Sequence, residues 1–363
     1  MAVGIRLEAI SKQFSHRTRG DLWAVSDVTL DVPPGQFLTL LGPSGCGKTT
    51  TLRMIAGFEQ PTRGRVFLDD RDVTGLMVNR RNIGFVFQNY ALFPHLPVGE
   101  NVAYGLRVRR WPEDAIGRAV REVLELVGLA GYERQFPHQL SGGEQQRVAL
   151  ARAVVIQPEV LLFDEPLSNL DAKLRVHMRS EIRRLQERLA ITAVYVTHDQ
   201  DEAMAISDRI AVMNSGAIVQ IGTAEDLYAR PATAFVAQFI GRTNVVRARV
   251  AGREGGALVV EVGGRRLRVE CDGDAPATGS VALAIRPETI DIHPAASDHD
   301  SAVIASRVFL GEKVDYVVQW GGVSLLVTVY DPIRRGAFVP GDRVDVRLPA
   351  TGLRVLADAM PAP

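Results

Sequence analysis

The chain has 363 residues, a length that favours two domains. Lys and Arg together number 42, as do Asp and Glu, so the formal net charge is zero, which argues against binding to nucleic acid through bulk charge. Hydrophobic residues make up 46% of the chain, which supports packed cores and excludes wholesale disorder. Two cysteines, Cys46 and Cys271, are too few for a disulfide framework. No apolar run reaches bilayer-spanning length and no signal segment opens the chain, so we expect a cytosolic protein.

The first elements predicted are a β-layer and a strand that leads into a glycine-rich loop. Ile5–Ile10 and Val25–Val32 have the pattern of strands in an edge layer, and Gln36–Leu41 is a short apolar run typical of a buried strand. Gly42–Thr49 then reads GPSGCGKT, which matches the phosphate-binding pattern GxxxxGK[ST], and Thr50–Ala56 begins a helix. Unpaired backbone N–H groups and the dipole at such a helix start favour a triphosphate.

This loop predicts a nucleotide site with specific roles for its side chains. Lys48 is expected to reach the β- and γ-phosphates, and the Thr49 hydroxyl to ligate Mg²⁺. Cys46, at a helix N-terminus beside a lysine, is expected to have thiolate character. The residues predicted to contact the nucleotide here are Gly42, Pro43, Ser44, Gly45, Cys46, Gly47, Lys48, Thr49 and Thr50.

A helical insert follows the next predicted strand, Ile83–Phe87. Pro112 opens a helix within it, and the insert occupies about 89–158. The apolar residues of that helix fall on one face and predict core: Ile116, Val120, Val123, Leu124 and Val127.

A second helix start with glycines occurs near the end of the insert. Leu140–Arg147 reads LSGGEQQR, and the helix is predicted over Gln145–Val155. Ser141 has the position of an N-cap, while Gly142 and Gly143 leave the backbone open to an anion. The chain therefore contains two candidate phosphate-binding helix starts.

The next strand ends in two carboxylates. Val160–Asp164 is an apolar run, and Asp164 at its end is placed to hold Mg²⁺ through water. Glu165 beside it is placed to orient and deprotonate an attacking water. With Ala193–Thr197 as a further strand, the alternation of short apolar runs and helices predicts a mostly parallel sheet covered on both faces.

Two more elements complete the α/β region. One is an amphipathic helix after Asp171, and the other is a hairpin over Asp208–Ile221 that turns at Asn214–Gly216. The apolar stripe of the helix predicts core: Leu174, Met178, Ile182, Leu185 and Leu189.

From Asn244 onward the pattern is all β. Gly263–Gly264 and Gly321–Gly322 are predicted hairpin turns, and Asp272–Gly279 and His293–Asp300 are predicted loops. The predicted strands are Val245–Val250, Ala257–Val262, Arg265–Val269, Val281–Ile285, Val303–Phe309, Val314–Trp320, Val323–Val329 and Arg343–Leu348. This indicates a small barrel-type domain.

Taken together, the motifs resemble the ATPase subunits of ABC transporters, and they occur in order over residues 1–240. The resemblance implies an α/β P-loop NTPase core over 1–240, followed over 241–363 by an all-β, OB-like regulatory (TOBE) domain of the kind found in importers. Ala284–Glu288 and Phe239–Asn244 carry that second resemblance.

The resemblance also implies roles for residues outside the phosphate loop. Gln88 is the Q-loop glutamine at the metal site, Ser141–Gly143 is the signature loop that binds the γ-phosphate held by a second subunit, and His198 is the switch histidine that contacts the γ-phosphate. Ser168–Asp171 is the D-loop, and Asp171 belongs to the nucleotide site. The predicted catalytic residues are Glu165, His198, Gln88 and Lys48, and the predicted metal residues are Thr49, Gln88 and Asp164. Asn169 stands where alanine is commoner in the D-loop, a departure that we expect to change little.

The adenine-stacking ring of the family has two candidates here. By resemblance it falls at Phe14, but Ser15–Gly20 looks longer than usual, so either Phe14 or Trp23 is the stacking residue.

The function implied is that of an ATP-hydrolysing, Mg²⁺-dependent subunit that energises import of a small solute such as a polyamine, ferric iron or a phosphonate. Phe309–Gly311 and Val314–Val318 resemble that branch of importers more than the sugar branch. The implied partners are a second copy of the chain, two transmembrane permease subunits and, through the complex, an extracytoplasmic binding protein, at the cytoplasmic face of the inner membrane.

Alternatives are a sugar importer, an exporter or a non-transport ABC ATPase. The single cassette and the absence of sustained heptads argue against the non-transport class, and the β domain and Asn89–His95 resemble importers rather than exporters. Nucleic-acid binding by the OB-like domain is disfavoured, because aromatic and basic residues are not interleaved there.

Overall fold

A computed structural model of the chain divides into two compact units, Met1–Ala224 and Glu225–Pro363. The structure describes residues 2–16, 20–270, 278–295, 301–335, 337–348 and 352–356. The predicted loop residues 272–277 and 296–300, and Cys271, lie outside the described residues. Among the described residues, no helix has the length and apolar character needed to cross a membrane.

The first unit contains a four-stranded antiparallel sheet in the order β2-β1-β4-β5. Its strands are β1 (Ile5–His16), β2 (Gly20–Val32), β4 (Arg63–Leu68) and β5 (Arg71–Asp72). The β1–β2 hairpin is longer than the two predicted apolar runs, because its outer part pairs exposed residues such as Phe14 with Leu22. Strands β4 and β5 were not predicted, since only the last three residues of β4 are buried.

A six-stranded sheet in the order β10-β9-β3-β8-β7-β6 forms the centre of this unit. Its strands are β3 (Phe37–Leu41), β6 (Ile83–Val86), β7 (Val160–Asp164), β8 (Thr192–Thr197), β9 (Arg209–Asn214) and β10 (Ala217–Gly222). All neighbouring pairs are parallel except β9–β10, whose two-residue turn is the predicted one. β3, β7 and β8 are buried throughout, as expected for a parallel sheet covered on both faces.

Helices cover this sheet. They are α1 (Lys48–Ala56), α2 (Val98–Val108), α3 (Glu113–Leu126), α4 (Gly142–Val154), α5 (Ala172–Leu189) and α6 (Gln200–Ile206), with short 3₁₀ helices at Val78–Arg80 and Pro137–Gln139. The apolar stripe predicted for α3 is buried, and it joins α2, α4 and α5 in one core against the sheet. A second core lies between the opposite face of the sheet, α1 and the antiparallel sheet. The carboxyl ends of β3, β7 and β8 lead directly into the predicted site.

The second unit consists mainly of two five-stranded antiparallel sheets that share one core. The first, in the order β13-β12-β11-β14-β20, contains β11 (Asn244–Glu254), β12 (Ala257–Val262), β13 (Arg265–Val269), β14 (Ser280–Ile285) and β20 (Leu353–Leu356). The second, in the order β15-β19-β16-β17-β18, contains β15 (Asp291–Pro294), β16 (Ala302–Phe309), β17 (Lys313–Trp320), β18 (Val323–Tyr330) and β19 (Arg343–Arg347). Short helices are α7 (Ala224–Ala229), α8 (Ala234–Phe239), α9 (Pro332–Arg335) and a 3₁₀ turn, Pro287–Thr289.

Hairpin chemistry explains much of this unit. Gly263–Gly264 and Gly321–Gly322 all have positive φ angles, as the predicted two-residue turns require. The predicted loop His293–Asp300 is wrong at its first two residues, because His293 and Pro294 belong to β15 and pair with β19. That strand is mostly exposed and polar, so its sequence has no apolar alternation to indicate it.

The two compact units divide earlier than the predicted boundary at 240/241. Ala234 and Ala237 of α8 pack against alanines of β14. The buried Arg286 guanidinium donates hydrogen bonds to the backbone oxygens of Tyr228, Ala237 and Ile240 at 2.7–3.0 Å. This segment is therefore fastened to the β sheets.

Candidate active site

The phosphate-binding loop occupies the turn between β3 and α1. Gly47 ends it with φ 101°, in a conformation that side chains disfavour, and a Cβ there would lie 2.4 Å from the backbone oxygen of Ala24. A Cβ on Gly42 would lie 2.3 Å from the backbone oxygen of Met213. Both positions therefore require glycine for steric reasons, and the loop is held against two neighbouring strands.

Lys48 lies at this loop with its ammonium group already oriented. Its side chain is buried, and Nζ donates hydrogen bonds to the backbone oxygens of Gly42 at 2.8 Å and Pro43 at 2.9 Å. Its third contact is to Sγ of Cys46 at 3.8 Å, a weak acceptor that an anion's oxygen can replace as partner of the third ammonium proton. The arrangement supports the predicted phosphate contact.

Thr49 and Asp164 join the first turn of α1 to the end of β7. The Thr49 hydroxyl donates a hydrogen bond to Oδ1 of Asp164 at 2.9 Å. Burial raises the pKa of the Asp164 carboxyl above its usual value, and the Thr49 hydrogen bond partly opposes this. A hydroxyl and a carboxylate side by side supply the hard oxygen ligands that suit Mg²⁺, so these residues fit the predicted metal.

Glu165 and His198 form a second pair of side chains. Glu165 directly follows β7, and His198 directly follows β8. Nδ1 of His198 and Oε2 of Glu165 lie 3.1 Å apart. Glu165 has φ 45°, which is uncommon for a residue with a side chain. Its N–H donates to the backbone oxygen of Val196 at 3.0 Å, and its own carbonyl accepts the Ser168 hydroxyl at 3.0 Å. The surrounding backbone thus holds the carboxylate beside the histidine in a strained conformation.

The predicted signature loop begins α4 as an N-cap. Oγ of Ser141 accepts from the Glu144 N–H at 3.4 Å, and Oε2 of Glu144 accepts from the Ser141 N–H at 2.8 Å, which completes a capping box. The helix begins at Gly142, three residues before its predicted start. Among the hydrogen bonds of the described residues, none joins Ser141 to the phosphate loop.

The predicted Q-loop and D-loop are in contact. Gln88 is exposed after β6, and its backbone oxygen accepts a hydrogen bond from Nδ2 of Asn169 at 2.9 Å. Asp171 caps α5 by accepting from the Leu174 N–H at 2.9 Å. An alanine at this position, the commoner residue, would lack this hydrogen bond, so the expectation that Asn169 changes little stays a prediction to be tested.

Comparison with known proteins identifies the family. The ABC transporter family model matches residues 25–168, and the TOBE domain model matches residues 283–356. The chain is 50% identical to the spermidine/putrescine import ATP-binding protein PotA of Acidothermus cellulolyticus, over 94% of this chain and 91% of the relative. It is 45% identical to the Fe(3+) ions import ATP-binding protein FbpC of Brucella abortus, over 97% of each. The chain belongs to the ABC transporter family.

A solved structure agrees with this assignment. The dimeric ATP-binding cassette MJ0796, bound to ADP and Pi, is 31% identical to this chain, with a TM-score of 0.55. The match covers 60% of this chain and 98% of the cassette. These matches confirm the predicted family, the predicted ABC ATPase fold and the all-β region with a TOBE domain.

The two candidate adenine-stacking rings of this ABC subunit lie on opposite faces of β1–β2. Lys12 pairs with Val25 and Phe14 pairs with Leu22, so these four residues share a face. The Val25 side chain on that face would be 3.2 Å from a Cβ on Gly47, which makes it the face toward the phosphate loop.

Trp23 pairs instead with Gln13, one residue along β1, and its ring contacts the Arg63 guanidinium at 5.3 Å. It therefore lies on the face away from the loop. Phe14 is 40% exposed and accessible from the loop side, with the Lys12 ammonium 5.1 Å from its ring.

Cys46 differs from its sequence prediction. The side chain is 3% exposed and packs in the core under the loop. Burial raises the pKa of its thiol, and the charge of Lys48 lowers it by less. The predicted thiolate character is therefore wrong, because the helix-terminus argument leaves out the loss of solvent.

Sequence reasoning missed a buried network behind His198. Glu202 is 3% exposed and accepts hydrogen bonds from the Tyr195 hydroxyl at 2.9 Å and the Thr197 hydroxyl at 2.8 Å. Burial raises the pKa of the Glu202 carboxyl. Arg175 of α5 reaches the same region, 3.1 Å from Oδ2 of Asp199. Only the fold brings these residues together, although the polar residues directly after β8 were a partial signal.

Proposed function

We propose that this ABC subunit hydrolyses ATP to drive import of a small solute, and that two copies act together on a pair of transmembrane permease subunits. The observation that carries the proposal is the cluster of Lys48, Thr49, Asp164, Glu165 and His198 where β3, β7 and β8 end. Each residue has the chemistry that phosphoryl transfer to water requires.

The contacts described above support the proposed roles of Lys48, Thr49, Asp164, Glu165 and His198, and the family resemblance supports those of Gln88 and Phe14. Lys48 binds the phosphates, while Thr49 and Asp164, together with Gln88, hold Mg²⁺. When bound, that ion neutralises charge on the phosphate oxygens. Glu165 orients the water and accepts its proton. His198 holds the Glu165 carboxylate in place and contacts the γ-phosphate, and Phe14 rather than Trp23 stacks on adenine.

The partners are a second copy of the chain, two permease subunits and an extracytoplasmic binding protein reached through them, at the cytoplasmic face of the inner membrane. Ser141, Gly142 and Gly143 form a capped helix start with Ser141 exposed, and we propose that this start binds the γ-phosphate held by the second copy. The dimeric state of the related cassette supports the dimer. Asp171 then lies where the two chains meet.

The solute is a polyamine or ferric iron. The relatives of high identity named above are import subunits for spermidine and putrescine or for Fe(3+). Their names support these solutes over a sugar. Uptake of labelled spermidine and labelled ferric iron by cells with and without the chain distinguishes the two, and uptake of maltose is the control.

Mixing two inactive variants tests the shared site. Ser141→Arg blocks closure, and Lys48→Ala removes the phosphate contact, so each homodimer is expected to be inactive. A mixture contains heterodimers with one site damaged twice and one intact, and ATP hydrolysis is expected to return. Activity in Ser141→Arg alone, or no activity in the mixture, contradicts sites built across two chains.

A further inference from the structure

The D-loop, Ser168–Asp171, is tied on one side to the Q-loop by a single side chain. Nδ2 of Asn169 donates to the backbone oxygen of Gln88 at 2.9 Å. The acceptor is a carbonyl, so only the nitrogen of the amide fits this contact. Alanine has no donor, and aspartate would turn an acceptor toward an acceptor. The link therefore depends on asparagine at this position.

On its other side the D-loop is tied to the segment after the switch histidine. Nη2 of Arg175 donates to the backbone oxygen of Leu170 at 3.1 Å, and Nη1 lies 3.1 Å from Oδ2 of Asp199. Asp199 directly follows His198. A guanidinium makes both contacts at once because its donors form a rigid fork, whereas the single ammonium of a lysine has no such geometry.

Asp199 is itself fixed. Its Oδ1 accepts from the N–H groups of Asp201 at 2.9 Å and Glu202 at 3.2 Å, which caps α6. Its own N–H donates to the Thr197 hydroxyl at 3.0 Å. Thr197 and Glu202 belong to the buried network behind His198. A displacement of the D-loop is therefore passed to a rigid segment rather than absorbed by a loose one.

We propose that Asn169 and Arg175 are positioning residues that couple the Q-loop to the Glu165–His198 pair through the D-loop. Neither is assigned a contact with the nucleotide. They act by holding the backbone of Gln88 and the side chain of Asp199 in one arrangement with the catalytic pair. The proposal rests on the proposed ATPase function, and it predicts loss of turnover without loss of ATP binding.

The test compares four variants of the full-length chain with Mg-ATP: Asn169→Ala, Asn169→Asp, Arg175→Lys and the control Arg183→Lys. Arg183 lies on the same helix and pairs with Asp208 and Glu187, so it matches Arg175 in type without touching the D-loop. We expect kcat to fall about three- to tenfold in the first three, with the dissociation constant of a fluorescent ATP analogue within about twofold. Arg183→Lys is expected to leave both unchanged.

Amide hydrogen exchange measures whether the D-loop stabilises the Q-loop and the segment after His198. Asn169→Ala should speed exchange of the backbone amides over 88–92, and Arg175→Lys should speed it over 199–202. The double variant Asn169→Ala/Arg175→Lys should lose less activity than the product of the two single fold-losses, because both residues act through the D-loop.

Normal kcat in Asn169→Ala or in Asn169→Asp overturns the proposal. A fall in ATP affinity as large as the fall in kcat overturns it too. If Arg175→Lys fails to fold, the two Asn169 variants still decide it. If the unmodified chain hydrolyses no ATP, the proposed function fails, whereas unchanged exchange in the variants refutes the coupling alone.

Discussion

The two units use buried polar side chains in different ways. In the first, Lys48 and Asp164 are buried at loop ends, and the Asp164 carboxylate has other functional side chains as its neighbours. In the second, Arg286 donates to backbone oxygens. Asn244 there bridges β14 and β18 through the backbone of Ile285 and Leu326. Burial of a polar group therefore does not by itself mark a catalytic site.

The first unit also contains a buried arginine that donates hydrogen bonds to backbone oxygens. Arg81 is fully buried, and it donates to the backbone oxygens of Met54 and Ile55 at the end of α1 at 2.7 and 2.8 Å. Burial lowers the pKa of Arg81 to about 10. Its described acceptors are all backbone carbonyls, like those of Arg286, and it lies beneath the phosphate-loop helix rather than in the phosphate loop.

Replacing the proposed base should have the largest effect. Glu165→Gln keeps the size of the side chain but replaces one carboxylate oxygen with an NH₂ group and so removes the proton acceptor; hydrolysis should slow by about 10² or more while ATP binding persists. Steady-state ATPase and nucleotide-binding assays measure this, and size exclusion should show an ATP-bound dimer. Turnover close to that of the unmodified chain would remove Glu165 from the role of base.

Replacing the structural arginine of the second unit should affect stability rather than chemistry. Arg286→Met leaves buried carbonyls without a donor and should lower the free energy of unfolding of that unit by about 3 kcal/mol. Urea unfolding followed by tryptophan fluorescence measures it, and Arg286→Lys should recover part of the loss. ATPase activity at 25 °C should remain within about twofold, because the catalytic residues lie in the first unit. A large loss of kcat in a folded Arg286→Met variant would contradict the division of roles.

Removing the second unit tests whether the first unit hydrolyses ATP alone. We expect a chain that ends at Ala224 to bind and hydrolyse ATP within about a few-fold of the full chain, since its contacts hold the site together without the β sheets. A chain that ends near Arg242 keeps α7 and α8 without their β partners, so it should be less soluble. Circular dichroism checks folding and steady-state ATPase checks function. A folded 1–224 chain that cannot hydrolyse ATP would assign the β domain a part in the active site.

The last prediction concerns the rate at which Cys46 is alkylated, and it involves no loss of activity. In a Cys271→Ser background, maleimide should react at least about 10²-fold more slowly with the folded chain than with the urea-unfolded chain, because the thiol is buried. Its raised pKa means less thiolate at a given pH, so the rate should still rise with pH above the usual thiol range. Mass spectrometry measures the rate. Rapid labelling that Mg-ATP suppresses would restore the thiolate prediction.

Local patterns predicted the elements of the site well. The phosphate loop, the N-cap at Ser141 and the glycine turns at Gly263 and Gly321 depend on residues close in sequence, and the structure has all of them. Tertiary burial was not predictable in the same way. Arg81 resembles any surface arginine in the sequence, and the pKa of Cys46 moves opposite to the helix-terminus argument.

Contacts between segments distant in the chain could not be predicted from the sequence either. The polar strand β15 and the contact of Asn169 with Gln88 have no local signal, because each partner is far away in the chain. The choice between Phe14 and Trp23 required the strand register: Phe14 pairs with Leu22 and Trp23 pairs with Gln13, so the two rings lie on opposite faces.

The backbone of Glu165 sets stability against activity at one residue. Its φ of 45° suits glycine or asparagine better than glutamate, so either replacement would relax the chain there while removing the carboxylate. Tyr90 and Gln157 also have positive φ, so the strain at Glu165 is of interest because of the His198 contact that accompanies it.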